Sequence, residues 1–350
     1  MENKIHTGII GFGLSGKVFH APFIHTHPGF ELSVVVERHR SHSKEIYPAV
    51  SVVKDYRELL DNNKIELIII ATPNTQHYPM AVECLSAGKH VVIEKPFTPT
   101  SAEADKLISL SEKLGKKIFV YHNRRWDGDF LTIKNLISQG VFGQISYYEA
   151  HFDRYNPELK AGAWRNEDIP GGGILYDLGS HLIDQALVLF GLPDAVKAEI
   201  RKERKGSRVD DAFHLQLAYA DKTVVLRAGM LVKDPGPRYV IRGSHGKYSK
   251  PGIDSQEARL KAGEMPSSHD FGKEDPVNWG TLEQGQAPPF DITRIPTENG
   301  NYMDFYDGVY ACLRKNKPMP VLPFQARDVI FIIEKSFESK QKNQFIKIKQ

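Results

Sequence analysis

The segment IHTGIIGFGLSG at residues 5–16 decides the fold of this chain. Its first half, residues 5–10, is an aliphatic run that predicts a short buried strand. Its second half has the spacing G-x-G-x-x-G and consists of Gly11, Phe12, Gly13, Leu14, Ser15 and Gly16. Glycines at these positions let the backbone approach a pyrophosphate, which then lies at the N-terminus of the next helix. We therefore expect a dinucleotide-binding turn; a glycine-rich strand-to-helix turn without a ligand is the alternative.

Outward from this segment, short aliphatic runs alternate with amphipathic helical stretches, which is typical of a doubly wound parallel sheet. The other predicted strands of this region are 32–36, 50–53, 67–71, 90–93 and 118–121, and the predicted helices are 16–25, 56–62, 76–87 and 101–114. We expect an α/β Rossmann domain at residues 1–122.

After about residue 122 the runs become longer and β-rich. They lie at 145–152, 195–201, 212–219, 223–230 and 238–243, with an apolar helix at 178–190 and a closing helix at about 324–340. We expect a C-terminal α+β domain at 123–350, with a large, mostly antiparallel open sheet that serves substrate binding and oligomerisation. The stretch 264–297 is dense in proline, glycine and charge and predicts an irregular surface excursion.

Length and composition narrow the class of protein. The chain has 350 residues, 41% hydrophobic and 25% charged, with a net charge of +3, which fits a two-domain globular protein without a nucleic acid or membrane partner. Its two cysteines, Cys84 and Cys312, form neither a disulfide framework nor a thiolate metal site. No signal peptide or membrane-spanning run is recognisable, so a cytoplasmic location is expected.

The end of the second predicted strand bears on the choice between NAD and NADP. A carboxylate there, Glu37, would accept the ribose hydroxyls of NAD and repel a 2′-phosphate. Its neighbour Arg38 would instead bind that phosphate or stack on the adenine. The two residues favour opposite cofactors, so both NADP and NAD stay open.

Polar residues also follow the strands predicted at 67–71 and 90–93. Thr72, Pro73, Asn74 and His77 are candidates for contact with the cofactor, although Asn74 or Thr75 could instead cap the next helix. Glu94, Lys95 and Pro96 follow the other strand. A lysine at that edge is placed to bond a substrate hydroxyl and lower its pKa, whereas an ordinary surface lysine is the alternative.

A second candidate pair opens the apolar helix. Asp177 and His181 are four residues apart and share one helix face. His181 could relay a hydroxyl proton near neutral pH while Asp177 orients it or binds substrate. Alternatively, Asp177 is a helix cap and His181 a core histidine.

Together these motifs resemble the glucose-fructose oxidoreductase, inositol dehydrogenase and MocA family. The resemblance spans the chain and rests on the glycine turn, the E-K-P at Glu94 to Pro96 and the D-x-x-x-H at Asp177 to His181. It implies that Lys95, Asp177 and His181 form the catalytic set and that the proline of E-K-P is cis. The segments at 19–23, 121–127 and 176–181 are most similar to the NADP-dependent scyllo-inositol dehydrogenase branch.

The resemblance also implies weaker candidates. Trp164 and Arg165 resemble the family's pair on the nicotinamide side of the cofactor, although domain packing is an equal alternative. Asn123, Arg125, Asp153 and Tyr239 are candidates for a polyol pocket, because a ring of hydroxyls needs fixed donors and acceptors. We expect no metal at His20, His25 and His27, which lack an accompanying carboxylate or thiolate in sequence.

The expected function is hydride transfer between NADP or NAD and a secondary alcohol of a cyclic polyol or sugar, with scyllo-inositol as a candidate. We expect a homodimer or homotetramer, because an open sheet face would expose apolar surface in a monomer. Two other functions compete: a non-catalytic NAD(P)-sensing regulator and an NAD-dependent glycoside hydrolase.

Overall fold

The computed structural model describes residues 4–159, 167–268, 270–285 and 287–348. Within these residues the chain forms two compact units. The first comprises the described residues of Met1–Asn123, Gln256–Phe271 and Asn301–Arg327, and the second comprises Arg124–Ser255, Gly272–Gly300 and Asp328–Gln350. Two segments that the sequence places in the domain at 123–350 therefore pack with the first unit.

The first unit is built on a six-stranded parallel sheet. Its strands are β1 (Ile5–Ile10), β2 (Phe30–Val36), β3 (Ser51–Val53), β4 (Leu67–Ile70), β5 (His90–Ile93) and β6 (Ile118–Val120). The order β3-β2-β1-β4-β5-β6 is that of a dinucleotide-binding fold. All four residues of β4 are fully buried, as expected for a parallel strand covered on both faces. The predicted Rossmann fold is confirmed.

Of the five helices among residues 4–122, four lie close to the predicted positions, and the one at 42–46 was not predicted. They are α1 (Ala21–Thr26), α2 (His42–Ile46), α3 (Arg57–Leu60), α4 (His77–Ser86) and α5 (Ser101–Leu114). A π turn at Gly16–His20 precedes α1, and such turns occur frequently at functional sites. Thr100 caps α5 by accepting from the Glu103 N–H, and Gly115 ends it in the left-handed conformation.

Residues far downstream complete the core of the first unit. These are α8 (Gln256–Lys261) and α9 (Met303–Lys315). Phe305 of α9 packs 4.8 Å from Tyr121, and Tyr306 stacks 5.9 Å from Phe23. No pattern in the sequence predicted α9, whose aromatic residues close this core.

A nine-stranded sheet forms the centre of the second unit. Its strands are β7 (Ile145–His151), β8 (Ala195–Arg201), β9 (Ala212–Ala218), β10 (Thr223–Gly229), β11 (Tyr239–Gly243), β12 (Gly246–Lys250), β13 (Gly280–Gln284), β14 (Asp291–Ile295) and β15 (Ile346–Lys347). The order is β14-β13-β12-β11-β7-β10-β9-β8-β15, and only the pair β7 and β10 is parallel among these described strands. This confirms the mostly antiparallel sheet.

The sheet of the second unit has one apolar and one polar face. The apolar face is covered by helices: Tyr239 bonds Gln185 of α7 (Ser180–Phe190), and the Ala198 N–H bonds Ser339 of α10 (Pro323–Lys342). A further helix, α6 (Gly128–Ser138), precedes β7. The other face carries charged and polar side chains, among them Tyr147, Glu149, His214, Glu199, Arg201, Lys247 and Glu283. An exposed apolar sheet face, the reason given for expecting an oligomer, is therefore absent from these described strands.

The predicted irregular excursion at 264–297 was wrong in part. It contains the antiparallel pair β13 and β14, which forms one edge of the nine-stranded sheet. Residues 291–294 of β14 are all exposed. This strand therefore lacks the alternation of buried apolar and exposed polar residues by which a strand is recognised in a sequence. Within the described part of the chain, no helix is both long enough and apolar enough to cross a bilayer.

Candidate active site

The glycine turn between β1 and α1 has two crowded glycines and one open glycine. Gly11 has a φ of +94°, and a Cβ on it would lie 2.8 Å from the Ala71 carbonyl oxygen. A Cβ on Gly16 would lie 2.0 Å from the Gly11 carbonyl oxygen. A Cβ on Gly13 would meet no described atom within 4 Å. The protein itself thus requires glycine at the first and third positions, whereas Gly13 leaves space for a ligand to approach the backbone.

At the end of β2, Glu37 caps the short helix α2. Its Oε1 accepts from the Ser43 N–H at 2.8 Å and from the Ser43 hydroxyl, and its Oε2 accepts from the His42 N–H at 3.1 Å. Glu37 is buried, whereas Arg38 is exposed. The carboxylate is committed to the start of α2, which leaves Arg38 as the member of the pair that faces solvent.

At the end of β4, a short turn leads into α4. Residues 74–76 form a single 3₁₀ turn, and the N-cap residue of α4, Gln76, makes no capping bond with its side chain. The ring of His77 lies 3.0 Å from the Thr72 carbonyl oxygen through Nε2 and 2.9 Å from the Pro96 carbonyl oxygen through Nδ1. Burial lowers the pKa of His77. Because a neutral imidazole carries one N–H, His77 can donate to only one of these two carbonyls, and its ring lies between the loop after β4 and the E-K-P segment.

At the end of β5, Lys95 is half-buried and is flanked by buried Glu94 and Pro96. The Lys95–Pro96 bond is cis. The Glu94 carboxylate accepts from His20 Nε2 at 2.9 Å, from the Ser15 hydroxyl and from the Lys95 N–H at 3.0 Å. Burial alone would raise the pKa of Glu94, but its hydrogen bonds from His20 and Ser15 and the nearby positive charge lower it to about 2. Glu94 is an ionised anchor beside Lys95.

In the second unit, Asp177 lies in a π turn at Leu175–Gly179 that runs directly into α7. The cap of this segment is Asp210, whose carboxylate accepts from the Leu175 N–H at 2.8 Å. Gly173, with a φ of +91°, is required there because a Cβ would lie 2.1 Å from Asp210 Oδ1. Asp177 is therefore not the helix cap, which removes one alternative to a functional role.

His181 follows in the first turn of α7 and is 5% exposed. One helical turn further, Asp184 forms a two-pronged ion pair with Arg125, with nitrogen–oxygen distances of 2.7 and 2.9 Å. Neighbouring Gln185 accepts from the Tyr239 hydroxyl at 2.8 Å and donates to the Arg124 carbonyl at 2.8 Å. Asp184 and Gln185 were missed in the sequence, because only their spacing from His181 could have marked them.

The remaining predicted residues differ in their surroundings. Asn123 is buried at the end of the first unit. Asp153, which follows β7, accepts from Arg227 at 2.9 Å. Tyr239 is fully buried and bonded to Gln185, so its hydroxyl is already engaged within the second unit. Trp164 and Arg165 lie outside the described residues.

The histidines near α1 bond carboxylates and a hydroxyl. His20 bonds Glu94 and Tyr306, and His27 bonds Asp307 at 2.9 Å. No group of three histidine, cysteine, aspartate or glutamate side chains with the geometry of a metal site occurs among the described residues.

Comparison with known proteins places both units. Residues 5–122 match the NAD-binding Rossmann fold of the Gfo/Idh/MocA oxidoreductases, and residues 134–349 match the C-terminal alpha/beta domain of the same family. The chain is 41% identical to the oxidoreductase YdgJ of Escherichia coli, with 97% of each chain covered. It is 39% identical to scyllo-inositol 2-dehydrogenase (NADP(+)) IolW of Bacillus subtilis, over 98% of this chain and 96% of the relative.

Solved structures agree with this assignment. The oxidoreductase yvaA of Bacillus subtilis superposes with a TM-score of 0.97 at 38% identity, covering 100% of this chain and 99% of that one. The YPO2259 oxidoreductase of Yersinia pestis superposes with a TM-score of 0.94 at 40% identity, covering 100% and 99%. With both domains matched and relatives above 30% identity over nearly the whole length, the chain belongs to the Gfo/Idh/MocA family of NAD-binding oxidoreductases.

Proposed function

We propose that this oxidoreductase transfers a hydride between a nicotinamide dinucleotide and a secondary alcohol of a cyclic polyol or sugar, with scyllo-inositol as the first substrate to test. The observation that supports it most is the open backbone at Gly13, on the same edge of the parallel sheet at which β5 ends in Lys95. A relative of similar length that is named for scyllo-inositol supports the substrate class.

The residues of the first unit fit a dinucleotide. The backbone of the turn around Gly13 would hold the pyrophosphate, and Arg38 with Thr72 and Asn74 would contact the adenosine and ribose groups. Trp164 and Arg165 are proposed on the nicotinamide side. The dinucleotide supplies the hydride acceptor for oxidation of the alcohol.

The chain's own residues handle the proton and the orientation of the substrate. In oxidation, Lys95 or His181 takes the hydroxyl proton, while Asp177 orients the base or the alcohol. We propose Asn123, Arg125 and Asp153 as hydrogen-bonding groups for the remaining hydroxyls. Arg125 is held rigid by Asp184, which favours a fixed donor geometry. Tyr239 is better suited to support α7 than to contact substrate, since its hydroxyl bonds Gln185.

We further propose that NADP is preferred over NAD. The carboxylate that would repel a 2′-phosphate is Glu37, and its three hydrogen bonds to Ser43 and His42 hold it at the start of α2. Arg38 and Arg40 are both exposed beside it. Two guanidinium groups at this strand end favour a doubly charged phosphate ester.

A substrate screen tests the proposal. Nicotinamide absorbance is followed with inositol isomers and aldoses, each with NADP and NAD, and we expect turnover of at least one cyclic polyol with a higher kcat/KM for NADP. Release of a leaving group from a glycoside without net absorbance change would identify the glycoside hydrolase instead. Dinucleotide binding without turnover of any alcohol would favour the non-catalytic regulator.

A further inference from the structure

A chain of buried hydrogen bonds connects α9 to the E-K-P segment within the first unit. The Tyr306 hydroxyl lies 2.5 Å from His20 Nδ1, and His20 Nε2 lies 2.9 Å from Glu94 Oε1. His20 is fully buried, and the ring of Tyr121 packs 4.5 Å from its imidazole. The other Glu94 oxygen accepts from the Lys95 N–H at 3.0 Å. The chain of contacts therefore runs from Tyr306 through His20 and Glu94 to the backbone of Lys95.

The positions of the protons along these hydrogen bonds follow from the groups at the two ends, Glu94 and Tyr306. The Glu94 carboxylate is ionised near neutral pH and can only accept, so His20 donates from Nε2. Burial raises the pKa of Tyr306 well above its usual value, so its hydroxyl keeps its proton and can donate to His20 Nδ1. Each polar atom along the chain has its partner, which makes the arrangement rigid.

We propose that His20 and Tyr306 are positioning residues for Lys95, acting through the Glu94 carboxylate. The proposal rests on the proposed function, in which Lys95 contacts the reacting hydroxyl. Ser15 of the glycine turn donates to the same Glu94 oxygen as His20. The carboxylate thereby joins the dinucleotide turn and the catalytic lysine in one hydrogen-bonded unit. The His77 ring also lies against this segment, with Nδ1 2.9 Å from the Pro96 carbonyl oxygen.

Loss of the imidazole would leave the carboxylate without its buried donor. Glu94 would then rotate or take up a proton, and the Lys95 backbone bonded to it would shift. Displacements of about 1 Å at a catalytic group lower turnover by up to roughly 100-fold, while ligand affinity changes less.

His27 provides a matched control for the replacement of His20. This histidine is also buried. It follows the last residue of α1, whereas His20 precedes the first, and it bonds a carboxylate of α9, Asp307, at 2.9 Å. Its Nδ1 accepts from the Gly29 N–H, so it has no hydrogen bond to Glu94 among the described contacts. Replacing His27 removes a comparable contact without touching the E-K-P segment.

The experiment compares His20→Leu, His20→Gln, Tyr306→Phe and His27→Leu with the full-length parent on the best alcohol of the screen. We expect kcat to fall roughly 10- to 100-fold in His20→Leu and about threefold or more in Tyr306→Phe. The dissociation constant for NADP should change much less than kcat. His20→Gln keeps an N–H donor at a similar reach and should recover most of the loss, while His27→Leu should retain kcat.

A second measurement needs no turnover. Competitive labelling of lysines with acetic anhydride at one pH, read by mass spectrometry, should show faster labelling of Lys95 in His20→Leu than in the parent, and unchanged labelling in His27→Leu. If folded His20→Leu and Tyr306→Phe match His27→Leu in kcat and Lys95 labelling, the positioning role is excluded. If the parent oxidises no alcohol but Lys95 labelling changes as expected, the proposed substrate class fails and the positioning role stands.

Discussion

Gly13 is the residue whose replacement separates ligand binding from folding. A valine there would meet no described protein atom at its Cβ, but its methyls would occupy the approach to the backbone. We expect Gly13→Val to weaken NADP binding roughly 100-fold or more, about 3 kcal/mol, with little change in thermal unfolding. Calorimetric titration measures the affinity, and unchanged binding by the folded variant would rule out this turn as the dinucleotide site.

Gly16→Ala is the control for that experiment. Its Cβ would lie 2.0 Å from the Gly11 carbonyl oxygen, so this smaller change should destabilise the unliganded protein. Gly13→Val should therefore lower the affinity for NADP without lowering the melting temperature, and Gly16→Ala should lower the melting temperature.

Arg38 is expected to discriminate between the two dinucleotides. Because Glu37 is bound to the start of α2, the exposed guanidinium is the group of this pair available to a 2′-phosphate. Arg38→Ala should weaken NADP roughly 10-fold or more relative to NAD, the loss typical of one charge-assisted hydrogen bond. The ratio of kcat/KM values measures this, with exposed Arg57→Ala as control. An unmoved ratio would show that Arg38 does not contact the phosphate.

Lys95 and His181 are expected to act on one proton. Replacing either with alanine should lower kcat by roughly 10² to 10⁴ with little effect on cofactor affinity. The double variant should be little worse than the poorer single variant, because residues that share one task are strongly non-additive. Steady-state kinetics measure this. If both single variants keep a kcat near that of the parent, Lys95 is an ordinary surface lysine and His181 a core histidine.

At the scale of elements, Glu94 joins the π turn before α1 to the end of β5, and its charge should make this junction sensitive to acid. Its pKa falls from 4.5 to about 2 on folding, so the ionised form stabilises the folded state above pH 4.5. That contribution should decline as the pH falls toward 2. The free energy of unfolding of the parent should lose about 2.5 kcal/mol more than that of Glu94→Gln between pH 6 and pH 2.5. Denaturant unfolding at several pH values measures this; parallel curves would contradict it.

The elements differ in how far the sequence could predict them. Strand β1 and helix α5 begin and end where their aliphatic runs and caps predict, because the signals are local. The hairpin of β13 and β14 carries few buried residues and was therefore mistaken for irregular surface.

Contacts of the candidate site were harder still to predict. The bond between His20 and Tyr306 joins residues 286 positions apart, and no local pattern encodes such a partnership. The glycine turn, Lys95 and the pair Asp177 and His181 were recognisable because each follows or opens a predicted element. Glu37 as the cap of α2 was not recognisable, since α2 itself was not predicted.

At the scale of the whole molecule, a homodimer or homotetramer remains our prediction. The polar face of the nine-stranded sheet argues against association driven by apolar surface alone, so the contact should depend on charge. Light scattering in low and high salt should give a mass of two or four chains that falls as salt rises. A mass of 39.5 kDa at all concentrations would contradict the prediction.

The aromatic contacts between α9 and the first sheet also determine when the core of the first unit can form during biosynthesis. Tyr121 leaves the ribosome well before Phe305 and Tyr306, which cover it. At about 5–20 residues per second, the nascent chain would wait roughly 10 to 40 s before this aromatic core can close. During that interval the rings of Phe23 and Tyr121 are not covered by the aromatic residues of α9. A chaperone that binds exposed aromatic side chains could bind them in this period. A gene fragment that stops at residue 123 would keep that window open permanently.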